Sequence, residues 1–435
     1  MKRFFAFLSL FALILSLTAC SSGIAPIEET TEAPTLKTNE EVKEMQTTTE
    51  EKVLTPEQQQ ILSLRREKVV DYMTKMASVL WRSDEEIVYT IKSGVSPDQV
   101  KNGSGSPVKL TIEKGRLYQG LPYTYAGNGI PSFADFYSAT DEKGVATVSG
   151  MVWQDLSGGF QEAMIGNDCS TAVMQAWGQI GANSFTVTNT QYMTADQGYL
   201  PVGSYRVAKN ELYSTKGDCA RNGKDVMFAS YAALQKGDAV VQRNNGAGHT
   251  MLVTSVHAVP LGNGYDPKES YITVTHQTRG KYSKEAKYYS EEHGEDVYYW
   301  YGIDDKYTFA SLLSAGYLPI TCKELIDPAP IAELQVTFTP EQGSPDELLA
   351  GTIHSNHLME KITAEIKNDK GEVVQSAFVY PTRKAKNDFP CEILIKKGKG
   401  KIDLSALPKG SYTLTYTVLL SDGTTATARE LAFTR

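Results

Sequence analysis

Cys169 lies in the run Gly166-Asn167-Asp168-Cys169-Ser170-Thr171-Ala172-Val173, where a loop gives way to an amphipathic pattern. Asp168 reads as an N-cap, which puts Cys169 in the first helical turn. Unpaired amides and the helix dipole favour negative charge there, and a nearby imidazolium would favour it further. The chemistry this suits is nucleophilic attack by sulfur on a carbonyl, with histidine carrying the proton. His249 and His276 are the candidates for that work. In an antiparallel hairpin, paired residue numbers sum to a constant. The midpoint of residues 249 and 276 is about 262.5, inside the turn-forming stretch Pro260-Leu261-Gly262-Asn263-Gly264. The spacing therefore predicts two cross-strand neighbours, with a bulge shifting the register by one or two residues. His249 would accept the proton of Cys169 and later deliver one to the leaving amine. His276 would hold the imidazole in its working tautomer as a neutral polar partner. The oxyanion would meet the backbone amide of Cys169, assisted by a tyrosine hydroxyl. A thiolate so placed should alkylate faster than an ordinary thiol.

Rival assignments carry less. His257 shares a face with His249, but eight residues of strand separate them by roughly 26 Å. His293 lies in the acidic stretch Glu291-Glu292-His293-Gly294-Glu295, which reads as exposed. His354 and His357 fall in a region that reads as all-β and have no carboxylates or thiolates to complete a metal site. Cys169, His249 and His276 lack a fourth ligand for zinc, so neither a metal nor another cofactor is expected. Glu291, Glu292, Glu295 and Asp296 could attract an ammonium group, although a solvated face explains them as well. Tyr298-Tyr299-Trp300-Tyr301 reads as core sooner than as a sugar-stacking platform.

The elements that must position the site follow from periodicity. Thr55-Pro56-Glu57-Gln58 opens a helix running to about residue 80, with Ile61, Leu64, Val69, Tyr72, Met73 and Met76 on one face. Extended segments are predicted at Glu86–Lys92 and Pro107–Ile112, and Tyr118–Gly166 is loop-rich. The helix opened by Cys169 ends near Ile180, with Gly181 as its stop. After an irregular stretch, strands are predicted at Asp238–Gln242, His249–His257 and Ser270–Thr278, and a helix at Phe309–Ala315. Asp327-Pro328-Ala329-Pro330 marks a linker. Beyond it, short alternating runs and turns such as Asp422-Gly423 suggest an antiparallel sandwich.

The N-terminus suggests where such a chain would work. Lys2 and Arg3 precede the apolar run Phe4–Leu17, which is short for a span. Leu17-Thr18-Ala19-Cys20 resembles a bacterial lipobox, which implies a signal peptide over residues 1–19 and lipid on Cys20. Residues 20–54 hold few large apolar groups and read as a disordered tether. The expected location is the outer face of a cell membrane, lipid-anchored. The net charge of −8 gives no basis for binding nucleic acid. Five cysteines without CxxC pairs exclude a zinc ribbon, and a Cys219–Cys322 bridge stays open.

Gly120-Leu121-Pro122-Tyr123-Thr124-Tyr125, then Asp168-Cys169-Ser170, Gly237-Asp238, Gly248-His249 and a strand ending near His276 together resemble the NlpC-type cell-wall cysteine peptidases. The resemblance implies a papain-like α+β fold over residues 55–326, a helix packed on an antiparallel sheet, followed by an immunoglobulin- or fibronectin-like sandwich at 327–435. It implies Cys169 as nucleophile, His249 as base, His276 as polar orienter and Tyr123 beside the nucleophile. It also implies peptidoglycan stem peptides as substrate, often cut between D-glutamate and a diamino acid. The chain departs from the pattern at Thr171, where glycine is usual, and at Tyr125-Ala126-Gly127, where Trp-Gly-Gly is usual. Other classes remain open: a binding or scaffolding lipoprotein whose sandwich recruits a protein or cell-wall partner, or an amidase or acyltransferase.

Overall fold

The structure, a computed structural model, describes residues 54–91, 108–123, 140–148, 152–154, 162–164, 166–181, 189–208, 212–244, 246–278, 286–330, 333–345, 347, 349, 351–357, 359–379, 390–393, 402–420 and 424–435. The lipobox, Cys20 and the tether lie outside these residues. Among the described residues the fold mixes five α-helices with several sheets, and no helix is long and apolar enough to cross a membrane.

Helix α1, Pro56–Ser78, begins with a reciprocal cap. Gln58 N donates to Thr55 Oγ1 at 3.2 Å and Thr55 N donates to Gln58 Oε1 at 2.9 Å. Its buried face carries Leu62, Arg65, Arg66, Val69, Met73 and Met76, so the N-terminal half is turned from the hydropathy reading, and Leu64 is exposed. Two arginines cause the rotation. Arg66 donates to Asp238 Oδ1 at 2.8 Å and to the carbonyls of Lys236 and Leu325, each at 2.9 Å. Arg65 donates to the carbonyls of Glu324 (3.0 Å), Asp327 (2.7 Å) and Ala329 (2.6 Å). Five donors per guanidinium make such burial tolerable.

Helix α2, Cys169–Gly178, is buried along its whole length. Asp168 caps it through a 2.8 Å bond from Thr171 N, and Trp177 Nε1 donates to the carbonyl of Gly237 at 2.8 Å. Gly181 adopts φ +67°, a left-handed conformation suited to the chain's departure from the helix. The stretch after it is less irregular than expected, since it holds helices α3, Thr215–Asn222, and α4, Lys224–Ala232. Helix α5, Phe309–Ala315, has the bounds read from periodicity.

A six-stranded sheet carries the histidines. Its strands are β1 (Leu200–Pro201), β2 (Ala239–Asn244), β3 (Ala247–His257), β4 (Tyr271–Gln277), β5 (Tyr301–Thr308) and β6 (Leu318–Thr321). Their order is β5-β4-β3-β2-β6-β1, with antiparallel neighbours throughout. Val240, Met251, Leu252, Val253, Ile272 and Val274 are fully buried in the core shared with α1 and α2. Trp300 and Tyr301 belong to that core too, while Tyr298 and Tyr299 are half-buried. From Val336 onward the chain is β-rich. One antiparallel sheet orders Val373–Val379, Met359–Asn368, Ser411–Leu420 and Thr425–Thr434; another orders Val336–Thr339, Gly351–Ser355 and Pro390–Ile393. They share a second core, in which the Phe338 and Tyr416 rings lie 5.1 Å apart.

Candidate active site

The hairpin tip falls where expected. Pro260 pairs with Tyr265 and Leu261 with Gly264, which centres the turn on Gly262 and Asn263. Toward the core the register slips. Pro260 pairs with Tyr265 but His257 with Tyr271, so the returning side takes up three extra residues; Val253 then pairs with Val274 and Leu252 with Thr275, and Thr254, extra in β3, takes one back. Extending that ladder sets Thr278 opposite His249, so His276 is a diagonal neighbour on the same face rather than a direct partner. Imidazole length bridges the difference. His249 Nε2 lies 2.7 Å from His276 Nδ1, and the ring planes meet at 70°.

The nucleophile candidate reaches the same place from the helix side. Cys169 opens α2, and its sulfur meets the backbone amide of Thr250, the residue that follows His249. Burial and then the Asp168 carboxylate push the thiol up to about 12, against the pull of the Thr250, Ser170 and Cys169 amides. Burial, and then the electrostatic effect of the neighbouring His276 ring, push the His249 imidazole down to about 3. Both groups therefore rest neutral. This corrects the expectation of a standing thiolate: desolvation and an adjacent carboxylate outweigh the helix terminus. Cys169 is 7% exposed and His276 is 4% exposed, while His249 is half-buried.

A buried amide network fastens the loop before Cys169 to the strand of His276. Asn167 Oδ1 accepts from Tyr301 Oη at 2.8 Å and Gln277 Nε2 at 3.3 Å. Its Nδ2 donates to Gln175 Oε1 at 3.0 Å, and Gln277 Nε2 also donates to the Leu121 carbonyl at 2.6 Å. Tyr123 forms a parallel bridge with Asn167 and is 6% exposed, which sets its backbone beside the segment leading into Cys169.

Asp305, which periodicity did not single out, completes the row: its Oδ2 lies 3.1 Å from His276 Nε2. It sits just beyond a second bulge, where Val274 pairs with Asp305 but His276 with Gly302. Asp304, within that bulge, has φ +51°. Thr254 Oγ1 donates to Asp304 Oδ1 at 2.6 Å, so the extra residue of β3 holds the bulge of β5. An Asp-Asp pair in a strand gives no sign of this arrangement. Tyr307 and Tyr317 extend the site as a row of rings, 6.3 Å from His276 to Tyr307 and 6.3 Å onward to Tyr317.

The other candidates lie elsewhere. His257 is exposed at the far end of β3, stacked 4.9 Å from Tyr271. His293 is half-buried, against expectation, because Ser290 engages its Nδ1 at 3.0 Å. Glu295 pairs with Arg82 at 2.5 Å and Asp296 with Lys287 at 2.6 Å, so these carboxylates already have basic partners. Cys219 and Cys322 are separate buried thiols, which rules out the bridge left open above. The side chain of Cys391 lies outside the described residues. Among the described residues, no three His, Cys, Asp or Glu side chains gather as a metal cluster. Family models and curated proteins give no match to this chain.

Proposed function

We propose that this chain is an extracytoplasmic cysteine hydrolase of the NlpC type, papain-like in fold, that cleaves amide bonds in peptidoglycan stem peptides. The observation that carries the reading is the 2.7 Å contact between His249 Nε2 and His276 Nδ1, with Cys169 on the first turn of a helix and its sulfur at the backbone of Thr250, the residue after His249. His249 takes the Cys169 proton as the S–C bond forms, because neither partner is charged beforehand. The tetrahedral oxyanion meets the amide of Cys169. Collapse expels the amine, which receives the proton from His249 and leaves a thioester. Water then attacks under the same base, releasing the acid and the thiol. Tyr123 would line the approach to the sulfur. Lipid on Cys20 would hold the chain at the membrane, and the immunoglobulin-like C-terminal sandwich would serve as a spacer or partner module.

A second reading has support of its own. Cys169 is 7% exposed and its thiol is strongly disfavoured as an anion, which suits a binding lipoprotein built on an inactive site. Digestion of purified cell-wall fragments, with products identified by mass spectrometry, separates the two. Cleavage within the stem that vanishes in Cys169→Ala supports hydrolysis, and release of whole stems makes the chain an amidase. Equal product from the mutant removes Cys169 from the mechanism, and no product from either protein leaves the binding reading.

A further inference from the structure

We propose that Asp305 is a positioning residue that sets the tautomers of both histidines and thereby makes Nδ1 of His249 the proton acceptor. Its link to hydrolysis rests on the function proposed above; its geometry does not. An ionised carboxylate can only accept, so the 3.1 Å contact requires a proton on His276 Nε2, and a ring holding one proton carries it there. Nδ1 of His276 is then a lone pair. The 2.7 Å contact next requires His249 to donate from Nε2. One lone pair remains on His249, at Nδ1, and the choice between its nitrogens has been made two residues away.

Three features of the backbone serve this carboxylate. The bulge in β5 lies between Gly302 and Asp305, Asp304 takes φ +51° within it, and Thr254 holds Asp304 at 2.6 Å. Glycine at 302 leaves the space between the two groups, since a β-carbon there would strike both the Asp305 carboxylate and His276 Nε2. Asp305 keeps 28% exposure, so one side of the carboxylate faces solvent.

The test uses nitrogen-15 NMR of the full chain labelled at its six histidines, at neutral pH. The expected spectrum has His249 and His276 each protonated at Nε2 alone. Protonation of His276 on Nδ1, or on both nitrogens, would overturn the proposal. Asp305→Ala should scatter both tautomers and lower kcat on cell-wall fragments on the order of 100-fold, with KM close to wild type. Retention of both tautomers in that variant overturns it whatever the rate. Should Asp305→Ala not fold, the wild-type spectrum still decides. The two readings fail separately: an active Cys169→Ala enzyme removes the cysteine mechanism and leaves the tautomers measured, while wrong tautomers remove Asp305 and leave the dependence on Cys169.

Discussion

Asp168 works for and against the residue that follows it. As N-cap it seats Cys169 on the helix, and as a half-buried carboxylate it raises the thiol. Asparagine would keep the cap and remove the charge. Asp168→Asn should therefore lower the Cys169 pKa and speed its alkylation by iodoacetamide at neutral pH, read as modification of the Cys169 peptide. An unchanged or slower rate would mean that burial alone sets the thiol. His249 supplies a prediction with a sign. In the unfolded chain the ring gains a proton near its ordinary 6.5, while in the native chain it resists until about 3. Acidification through that window favours the unfolded state, at up to about 1.4 kcal/mol per pH unit. Above the window both states are neutral and the group contributes nothing. Denaturant unfolding should show a steeper acid loss in wild type than in His249→Gln, and parallel curves would refute this. Cys169 and both histidines were legible because residue type, cap and turn each left a mark in the sequence. The neutral resting state was not, since desolvation depends on what packs around the site.

At the scale of elements, the hairpin tip was readable from Gly262 and Asn263, whereas the slip below it was not. The returning strand gains residues between Tyr265 and Tyr271 and Thr254 gives one back, and only the pairing across the ladder reveals either. Helices α3 and α4 escaped notice for a related reason. Lys216-Gly217-Asp218 and Gly223 read as loop until Ser214 caps the first helix and Gly223, at φ +80°, ends it. The arginine face of α1 could not be found from hydropathy, because burial there depends on carbonyls more than two hundred residues away. The bulges carry a testable burden. Gly302→Ala should cost roughly 1–3 kcal/mol by overcrowding. It should also disturb the His276 imidazole signals, whereas Gly264→Ala, where a β-carbon meets open space, should leave them in place. A His276 spectrum unmoved by Gly302→Ala would show that the strand yields without displacing the ring.

At the scale of the molecule, the two cores share no buried residue, one ending at Leu325 and the other starting at Phe338. Alternation and turns made the C-terminal β-region legible, but its beginning is less abrupt than the Asp-Pro-Ala-Pro motif suggests. Arg65 holds the carbonyls of Asp327 and Ala329. A chain ending after residue 326 should therefore unfold at lower denaturant than one ending after residue 330. The gap should be on the order of 1.5–3 kcal/mol, the worth of a hydrogen bond to a charged group. Equal midpoints would show the clasp to be idle. The same clasp has a mechanical consequence. A pull applied at residue 54 and at residue 330 would enter along the first helix and leave through the Arg65 guanidinium. The load would thus be shunted past the strands bearing the imidazoles, and tension between those two points would strain a buckle before it disturbed the paired rings.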